Sequence, residues 1–404
     1  MEQKESRFGY LIVFVMLDFQ NTGIAFRHRS DRDLRRSALL FTLLSHPWLV
    51  KLANGLLKFA LALRIPVAWI VKPTVYKQFV GGVSITDCLP ATHSLAHYGV
   101  FSILDYSVEG GHSEQQIRQT HEETLRTVVH AAADLNVPFA VFKPTAFGDL
   151  ETLSKDFSPA TSLESTAHQG LLQYVSRIDQ LCAAARDADV PIMIDAEDSW
   201  YQDLVDAVVT LMMKRYNKEK AIVYNTLQMY RHDRLAHLSE AIRQAREQGY
   251  YYGVKFVRGA YMEKERARAA RLGYPSPIYP DKMGTDQAFD EALKVAMNNL
   301  DIVSVFCGTH NEDSCYLLAS LIAEKQLASN DIRICFSQLY GMSDHISFNL
   351  AHAGYRVAKY LPYGPVRHVM PYLFRRAEEN TSIAGQTGRE LRLVRQEIKR
   401  RKGK

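Results

Sequence analysis

The 404-residue sequence predicts an α/β fold, a distorted (β/α)8 TIM-type barrel with an α-helical N-terminal region and a final helix over the barrel mouth. From about residue 99 onward, short β-branched or aromatic runs alternate with helical patterns, which is typical of parallel strands joined by crossover helices. Polar residues also stand at the carboxyl ends of these runs, where the active sites of such barrels gather. An open doubly wound sheet is the alternative, but no Gly-x-Gly-x-x-Gly motif follows any run.

The barrel is predicted for residues 99–385, after a helical region over residues 1–98 and before a basic tail over residues 386–404. Its strands are expected at Val100–Leu104, Phe139–Lys143, Pro191–Asp195, Ala221–Asn225, Gly253–Val257, Val303–Cys307, Ile332–Phe336 and Tyr355–Tyr360. The helices between them are expected at Ser113–Asn136, Gln169–Ala188, Gln202–Tyr216, Arg231–Gln248 and Asp286–Asn299.

The N-terminal region has helical patterns over residues 18–98, with capping signals at Ser30 and at Ser45-His46-Pro47. The segment from Trp48 to Val80 is strongly apolar yet carries Lys51, Lys58, Arg64 and Lys72 and is broken by Pro66 and Pro73. It is interpreted as core helices that cover one side of a larger domain, and a face lying on a membrane surface is the alternative. The apolar octet at residues 10–17 is too short to span a bilayer and lacks a signal-peptide cleavage site, so secretion is not expected.

The net charge of +5 is concentrated at the C-terminus. Residues 389–404 carry eight Lys or Arg and two Glu, a balance of +6 that leaves −1 for the other residues. This distribution argues against a general nucleic-acid-binding surface. The tail is expected to be a solvated helix, with a weak attraction to anionic lipid as the alternative. The five cysteines lack metal-ligand spacing and are expected to be reduced thiols in a cytosolic protein.

The stretch from Tyr360 to Asn380 is the best candidate for a substrate-binding segment. Pro365 suits the first position of a helix, and apolar residues recur at three and four residues after it. The buried stripe is expected to comprise Val366, Val369, Met370, Leu373 and Ala377. Arg376 falls on the other face, and the adjacent Arg375 points about 100° away. The two guanidinium groups could grip one carboxylate from two directions. An ordinary solvated surface with helix ion pairs is the alternative.

Ionisable, amide or phenolic side chains stand at or just beyond the ends of most predicted strands. They are Lys143, Asp195, Gln228, Lys255, Arg258, His310, Gln338 and Tyr360. Any one alone could be a satisfied core group or a salt-bridge partner. Eight together are hard to explain by packing, because a buried ionisable group is costly unless it is paired or used.

Several separated motifs resemble those of proline dehydrogenases. In chain order they read FKPTAFG, IDAE, YNTLQMY, VKFVRGAYMEKER, THN, CFSQLYGM and YLPYGPVRHVMPYLFRRAEEN, and the resemblance covers roughly residues 18–385. It implies a monofunctional FAD-dependent enzyme that oxidises L-proline to Δ1-pyrroline-5-carboxylate, the first step of proline catabolism to glutamate. The implied reaction is hydride transfer from proline C5 to flavin N5, with the electrons passed to a membrane quinone and no metal required.

The resemblance also implies how the substrate is held. Lys143, Arg375 and Arg376 would bind the proline carboxylate, Asp195 would keep Lys143 in place, and Tyr360 would pack over the proline ring. Tyr261 would shape the pocket wall, and Glu379 would hold one of the arginines.

The implied flavin contacts lie on the later strands. They are Gln228, Lys255, Arg258, Thr309, His310 and Asn311, with Lys255 near flavin N5. The resemblance departs from the family pattern at Lys255, where many relatives have arginine.

Glu109 lies on a glycine-rich loop after the first predicted strand. We interpret it as a gate that pairs with Arg375 or Arg376 when substrate is bound, with a plain surface acid as the alternative.

Other functions stay open at this point. A hydroxyproline-oxidising relative is disfavoured by Tyr360, because the resemblance implies a smaller residue there in that branch. A Schiff-base aldolase would use Lys143 or Lys255 as nucleophile. A non-catalytic amino-acid sensor would keep the arginine pair without the flavin contacts. We expect a cytoplasmic protein with a peripheral contact at the inner membrane, and pyrroline-5-carboxylate dehydrogenase as a partner.

Overall fold

The structure is a computed structural model that describes residues 17–63, 65, 67–107, 113–158, 163–164, 168–382 and 386–403. Eight strands form one sheet in the order β1-β8-β7-β6-β5-β4-β3-β2. They are β1 Val100–Tyr106, β2 Ala140–Phe142, β3 Ile192–Ile194, β4 Val223–Gln228, β5 Tyr252–Val257, β6 Val303–Gly308, β7 Ile334–Leu339 and β8 Val357–Tyr363. Each predicted strand overlaps one of these, and the predicted (β/α)8 barrel is confirmed.

The α-helices of the described residues alternate with the strands from β1 onward. Before β1 lie α1 Thr22–Ala25, α2 Asp31–Leu44, α3 Pro47–Ala62, α4 Ala68–Val71, α5 Lys77–Phe79 and α6 Ile85–Ala96. The following helices are α7 Glu114–Ala133, α8 Leu150–Leu153, α9 Gln169–Asp187, α10 Gln202–Tyr216, α11 Arg234–Gln248, α12 Met262–Leu272, α13 Lys282–Met297, α14 Glu312–Glu324, α15 Asp344–His352, α16 Val366–Ser382 and α17 Gln386–Lys402. A π-helical turn at Lys72–Tyr76 and 3₁₀ turns at Pro144–Phe147 and Ser199–Tyr201 complete the set.

The chain divides into two compact units, which we describe separately. The first comprises Met1–Glu109 with Gln338–Lys404, and the second comprises Gly110–Ser337. The second unit contains β2 to β6, and the first contains β1 and β8, which pair in parallel from Val100↔Val357 to Tyr106↔Tyr363.

In the second unit, strand register brings one lysine into an aromatic interior. Lys255 of β5 is level with Thr226 of β4 and Phe306 of β6, so all three side chains share one face of the sheet. Tyr224 lies on the same face opposite Gly253, where an added Cβ would approach the Tyr224 ring to 2.7 Å. Glycine is therefore needed at residue 253 for β4 and β5 to pack.

In the first unit, α16 packs as its sequence pattern predicts. Val366, Val369, Met370 and Leu373 are buried in a core that also contains Val50 of α3. The α2 helix of this unit begins at the predicted cap, because the Ser30 hydroxyl accepts a hydrogen bond of 3.2 Å from the backbone N–H of Asp33.

The C-terminal helix α17 is packed, which corrects the expectation of a solvated tail. Leu393 and Val394 are fully buried against Phe26 and Leu34. Its cations are also engaged, since Arg401 pairs with Asp31 at 2.8 Å and with a glutamate of its own helix. The apolar residues at helical spacing outweigh the charge because their burial against α2 stabilises the helix.

A buried charge cluster lies elsewhere in the first unit. Asp344, the first residue of α15, pairs with Arg29 at 2.7 Å and with Lys359 of β8 at 3.0 Å, and His28 lies 3.4 Å away. Burial alone would raise the pKa of Asp344, but the charges of Arg29 and Lys359 hold the pKa well below its usual range. The cluster ties the turn after α1, the start of α15 and β8 together.

Candidate active site

The carboxyl ends of β3 and β5 are joined by an ion pair. Asp195 follows β3, and its backbone N–H donates to the carbonyl of Phe142 at 3.0 Å. Its carboxylate forms a salt bridge with the ammonium group of Lys255, whose side chain is 5% exposed against 16% for Asp195. Burying two charges is tolerated because each neutralises the other. Sequence reasoning assigned both residues to the site without pairing them, and the contact of Asp195 with Lys143 stays a prediction.

A chain of hydrogen bonds connects the ends of four successive strands. After β2, the backbone N–H and hydroxyl of Thr145 donate to the Glu197 carboxylate at 3.0 and 2.9 Å. The Glu197 carbonyl accepts from the side-chain amide of Gln228 at the end of β4, at 2.6 Å. The Gln228 carbonyl oxygen accepts from the N–H of Ala260 after β5, at 3.1 Å. We call this series the strand-end chain.

Glu197 is a site residue that sequence reasoning missed. It is 7% exposed, and both of its carboxylate oxygens accept hydrogen bonds. The signal was present in the motif IDAE, where Glu197 stands two residues after Asp195. An acid in a loop is ordinarily solvated, and only the fold shows that this one is buried.

Arg258, just after β5, has contacts on three neighbouring elements. Its guanidinium pairs with Asp286 of α13 at 2.7 Å, donates to Thr309 after β6, and donates to Ser314 of α14 at 3.0 Å. Burial acts to raise the pKa of Asp286, but hydrogen bonds from Lys282 and Arg258 hold that pKa below its usual value. Arg258 is therefore a fixed positive charge at this edge of the sheet.

The predicted Thr-His-Asn motif shapes the start of α14. The Thr309 hydroxyl accepts from the backbone N–H of Asn311 at 3.1 Å, and the Asn311 side chain caps the helix by accepting from the N–H of Ser314 at 2.9 Å. His310 lies half-buried between them. Thr309 and Asn311 thus hold Arg258 and the helix start in place.

The loop after β5 depends on a glycine. Gly259 has φ +133°, and an added Cβ would lie 2.6 Å from the ring of Tyr230. Tyr261 follows at the start of α12, half-buried. The loop is anchored because Glu265 of α12 accepts hydrogen bonds from the backbone and hydroxyl of Ser199 at 2.7 and 2.6 Å.

The predicted substrate residues fall in both units. Lys143 belongs to the second unit, where it stands half-buried directly before the Pro144–Phe147 turn. Tyr360 and the arginine pair belong to the first unit. Tyr360 is 8% exposed, and its carbonyl accepts from the N–H of Tyr340 at 2.8 Å.

The arginine pair does not lie on a solvated surface. Arg376 is 7% exposed, and its guanidinium lies 5.3 Å from the centre of the Tyr372 ring, one helical turn earlier. Arg375 is half-buried. The burial of Arg376 does not agree with an ordinary solvated surface, and anion binding by the pair stays a prediction.

The remaining predicted site residues are Gln338, Glu109 and Glu379. Gln338 is buried in the first unit and accepts from the Ser347 hydroxyl at 2.7 Å. Glu109 lies outside the described residues, as does the side chain of Glu379, and both roles stay predictions.

Comparison with known families shows to which family the chain belongs. The family model described as proline dehydrogenase matches residues 88–389. The chain belongs to the proline dehydrogenase family. This family consists of oxidoreductases, which agrees with the enzyme class expected from the motifs.

Two relatives match this proline dehydrogenase family member over most of their length. The carbapenem antibiotics biosynthesis protein CarD of Pectobacterium carotovorum is 34% identical over 323 residues, which are 80% of this chain and 83% of the relative. The hydroxyproline dehydrogenase of Xenopus laevis is 30% identical over 421 residues, covering 95% of this chain and 90% of the relative.

Other matches cover a smaller share of their proteins. The human mitochondrial proline dehydrogenase 1 is 38% identical over 257 residues, 63% of this chain but only 42% of that protein. The solved structure of proline utilization A from Bdellovibrio bacteriovorus matches with a TM-score of 0.66 at 20% identity, over 91% of this chain and 37% of that chain. The structural likeness supports the barrel fold.

Proposed function

We propose that the protein oxidises L-proline to Δ1-pyrroline-5-carboxylate, with FAD as the hydride acceptor and a membrane quinone as the final acceptor. The observation that carries the proposal is the buried Arg376 beside Arg375, in a chain whose family is proline dehydrogenase. Two adjacent guanidinium groups suit a small carboxylate, and burial strengthens their attraction for it.

The donors on β4 and β5 have the chemistry that FAD requires. Arg258 supplies a fixed positive charge for a pyrophosphate. Gln228 uses one N–H and one lone pair in the strand-end chain, which leaves one of each for a polar ring edge. Lys255 of β5 supplies an ammonium group that is held in position by its salt bridge to Asp195. These residues, with His310 and the anchoring Thr309 and Asn311, would hold FAD, which when bound supplies the hydride acceptor.

The substrate residues would orient proline and tune its amine. Lys143, Arg375 and Arg376 would bind the carboxylate, while Tyr360 and Tyr261 would confine the ring. Cations beside the carboxylate also disfavour an ammonium group, so the ring nitrogen is held deprotonated. Its lone pair can then stabilise the positive charge that develops as C5 loses hydride. Glu379 would orient an arginine, and Glu109 would close the site.

The frog relative makes trans-4-hydroxy-L-proline a competing substrate. Tyr360 favours proline, because a buried phenol at this position leaves less room for a ring hydroxyl. Replacement of Tyr360 by serine should raise the activity ratio of hydroxyproline to proline.

The test is a steady-state assay with a soluble dye as electron acceptor. Dye reduction that depends on L-proline, with hydroxyproline much slower, supports the proposal. No reduction with either substrate would overturn it. Trapping of a substrate carbonyl on Lys143 or Lys255 by borohydride would instead favour an aldolase. The onward partners, a quinone and pyrroline-5-carboxylate dehydrogenase, belong to the same proposal.

A further inference from the structure

Helix α3 is apolar on two opposite faces, and the first unit covers one of them. The inner face carries Val50 and Leu57, which pack in the core that also contains residues of α16, and the buried Asn54. About half a turn away around the helix lies a second row at spacings of four, four, three and four residues. This row, the apolar stripe, comprises Trp48, Leu52, Leu56, Phe59 and Leu63, with exposed fractions of 65%, 54%, 61%, 64% and 58%.

Exposed apolar residues are concentrated on this part of the chain. Of the fourteen large apolar side chains exposed among the described residues, nine lie between Leu39 and Trp69. Trp69, on the next short helix, is 73% exposed. Single exposed apolar residues are ordinary, but a row of five along one side of a helix marks a surface that contacts something else.

The charge of the same segment indicates what that partner is. Residues 34–86 contain no Asp or Glu and seven Lys or Arg. Lys51, Lys72 and Lys77 are exposed. The segment therefore combines positive charge with the apolar stripe, and it contains two of the three tryptophans of the chain, Trp48 and Trp69. This combination suits an anionic lipid surface, where aromatic rings occupy the headgroup region.

We propose that the apolar stripe and Trp69 dock on an anionic bilayer, with α3 lying in the interface plane. Among the described residues, no helix is both long enough and apolar enough to cross a bilayer. A two-fold dimer through the stripe is disfavoured, because such an interface places the same positive surface on both partners. The inference goes beyond the proposed reaction and does not depend on the identity of the substrate.

The test is co-sedimentation of the full chain with vesicles of equimolar phosphatidylglycerol and phosphatidylcholine. The wild type is expected to bind these vesicles and to bind pure phosphatidylcholine much less. The variant L56D/F59D places two acids on the stripe and should lose roughly tenfold or more of the binding. The matched variant V129D/L135D makes the same change at residues that are 69% and 90% exposed in the second unit, and should bind as the wild type does.

Insertion is tested by tryptophan fluorescence with lipids brominated in the acyl chain. Quenching is expected in the wild type and should be lost in W48F/W69F, which retains binding.

An equal loss of vesicle binding in L56D/F59D and V129D/L135D would overturn the proposal, as would equal binding to neutral vesicles. A wild-type dimer that L56D/F59D dissociates would assign the stripe to a second copy instead. If vesicle binding appeared only after deletion of residues 2–16, that segment, and not a bilayer, would be the occupant of the apolar stripe in the full chain.

These outcomes are distinguishable from failure of the proposed function. Dye reduction with proline in the absence of vesicles should be the same in the wild type and in L56D/F59D. An inactive wild type that still binds vesicles would leave the docking surface intact and remove only the reaction.

Discussion

At the residue level, the candidate site contains charges that are largely shielded from water. Lys255 and Asp195 form a neutral pair inside the second unit, and Arg376 is buried in the first. Replacement of Lys255 by Met should lower the free energy of unfolding by about 3–5 kcal/mol, because it leaves the Asp195 carboxylate without its cation. The double variant K255M/D195N should recover most of this loss in urea unfolding.

The control for Lys255 is R126M, which removes an exposed arginine that pairs with Glu123 at 2.7 Å. Its unfolding free energy should change by less than about 1 kcal/mol. If K255M lowered the free energy of unfolding as little as R126M does, the pair of Lys255 and Asp195 would not stabilise the fold.

Replacement of Arg376 by Met should lower kcat/KM for L-proline by roughly 10- to 100-fold, because a charged hydrogen bond to the carboxylate is lost. The change should fall mainly on KM, since the carboxylate is bound alike in the ground and transition states. Steady-state kinetics with R126M as the control measure it. An unchanged kcat/KM would mean that the carboxylate is bound elsewhere.

At the level of elements, the strand-end chain predicts that Glu197 holds the ends of β2 to β5, and the loops that follow them, in position. Replacement of Glu197 by Ala removes the acceptor for both Thr145 donors and should lower the free energy of unfolding by about 1–3 kcal/mol. The Glu197→Ala variant should also have a lower kcat with a smaller change in KM, because the loops after β2 to β5 are no longer held in fixed positions relative to one another. Glu219→Ala, at an exposed position, is the control for both assays. A drop in stability with an unaltered kcat would leave Glu197 only a structural role.

The cluster around Asp344 predicts a pH dependence for the first unit. The pKa of Asp344 is held well below its usual value, so its stabilisation is fully present above the unfolded pKa of about 4 and is lost as the pH falls below it. Asp344→Asn should cost about 3–5 kcal/mol at neutral pH, since Arg29 and Lys359 are left buried. Urea unfolding at several pH values should show this difference shrinking in acid. The exposed Asp203→Asn should show no such trend, and a gap that stayed constant below pH 4 would contradict the assignment.

At the scale of the molecule, the sequence predicted the strands and the polar residues at their ends. These predictions were possible because the spacing of the strands, and the position of Lys255 or Arg258 relative to a strand, can be read along the sequence. The pairing of Lys255 with Asp195 and the role of Glu197 were missed, because a partner depends on which strand ends approach in three dimensions. The packing of α17 was not predicted, because eight cations in residues 389–404 indicated a solvated helix, whereas Leu393 and Val394 are buried.

The absorbance spectrum of the purified protein, recorded before and after anaerobic addition of L-proline, tests whether the protein holds a flavin that takes hydride from proline. We expect the two visible bands of oxidised flavin, which proline should bleach and trans-4-hydroxy-L-proline should hardly change. A protein that stays colourless after incubation with FAD, or whose bands proline does not bleach, would contradict it.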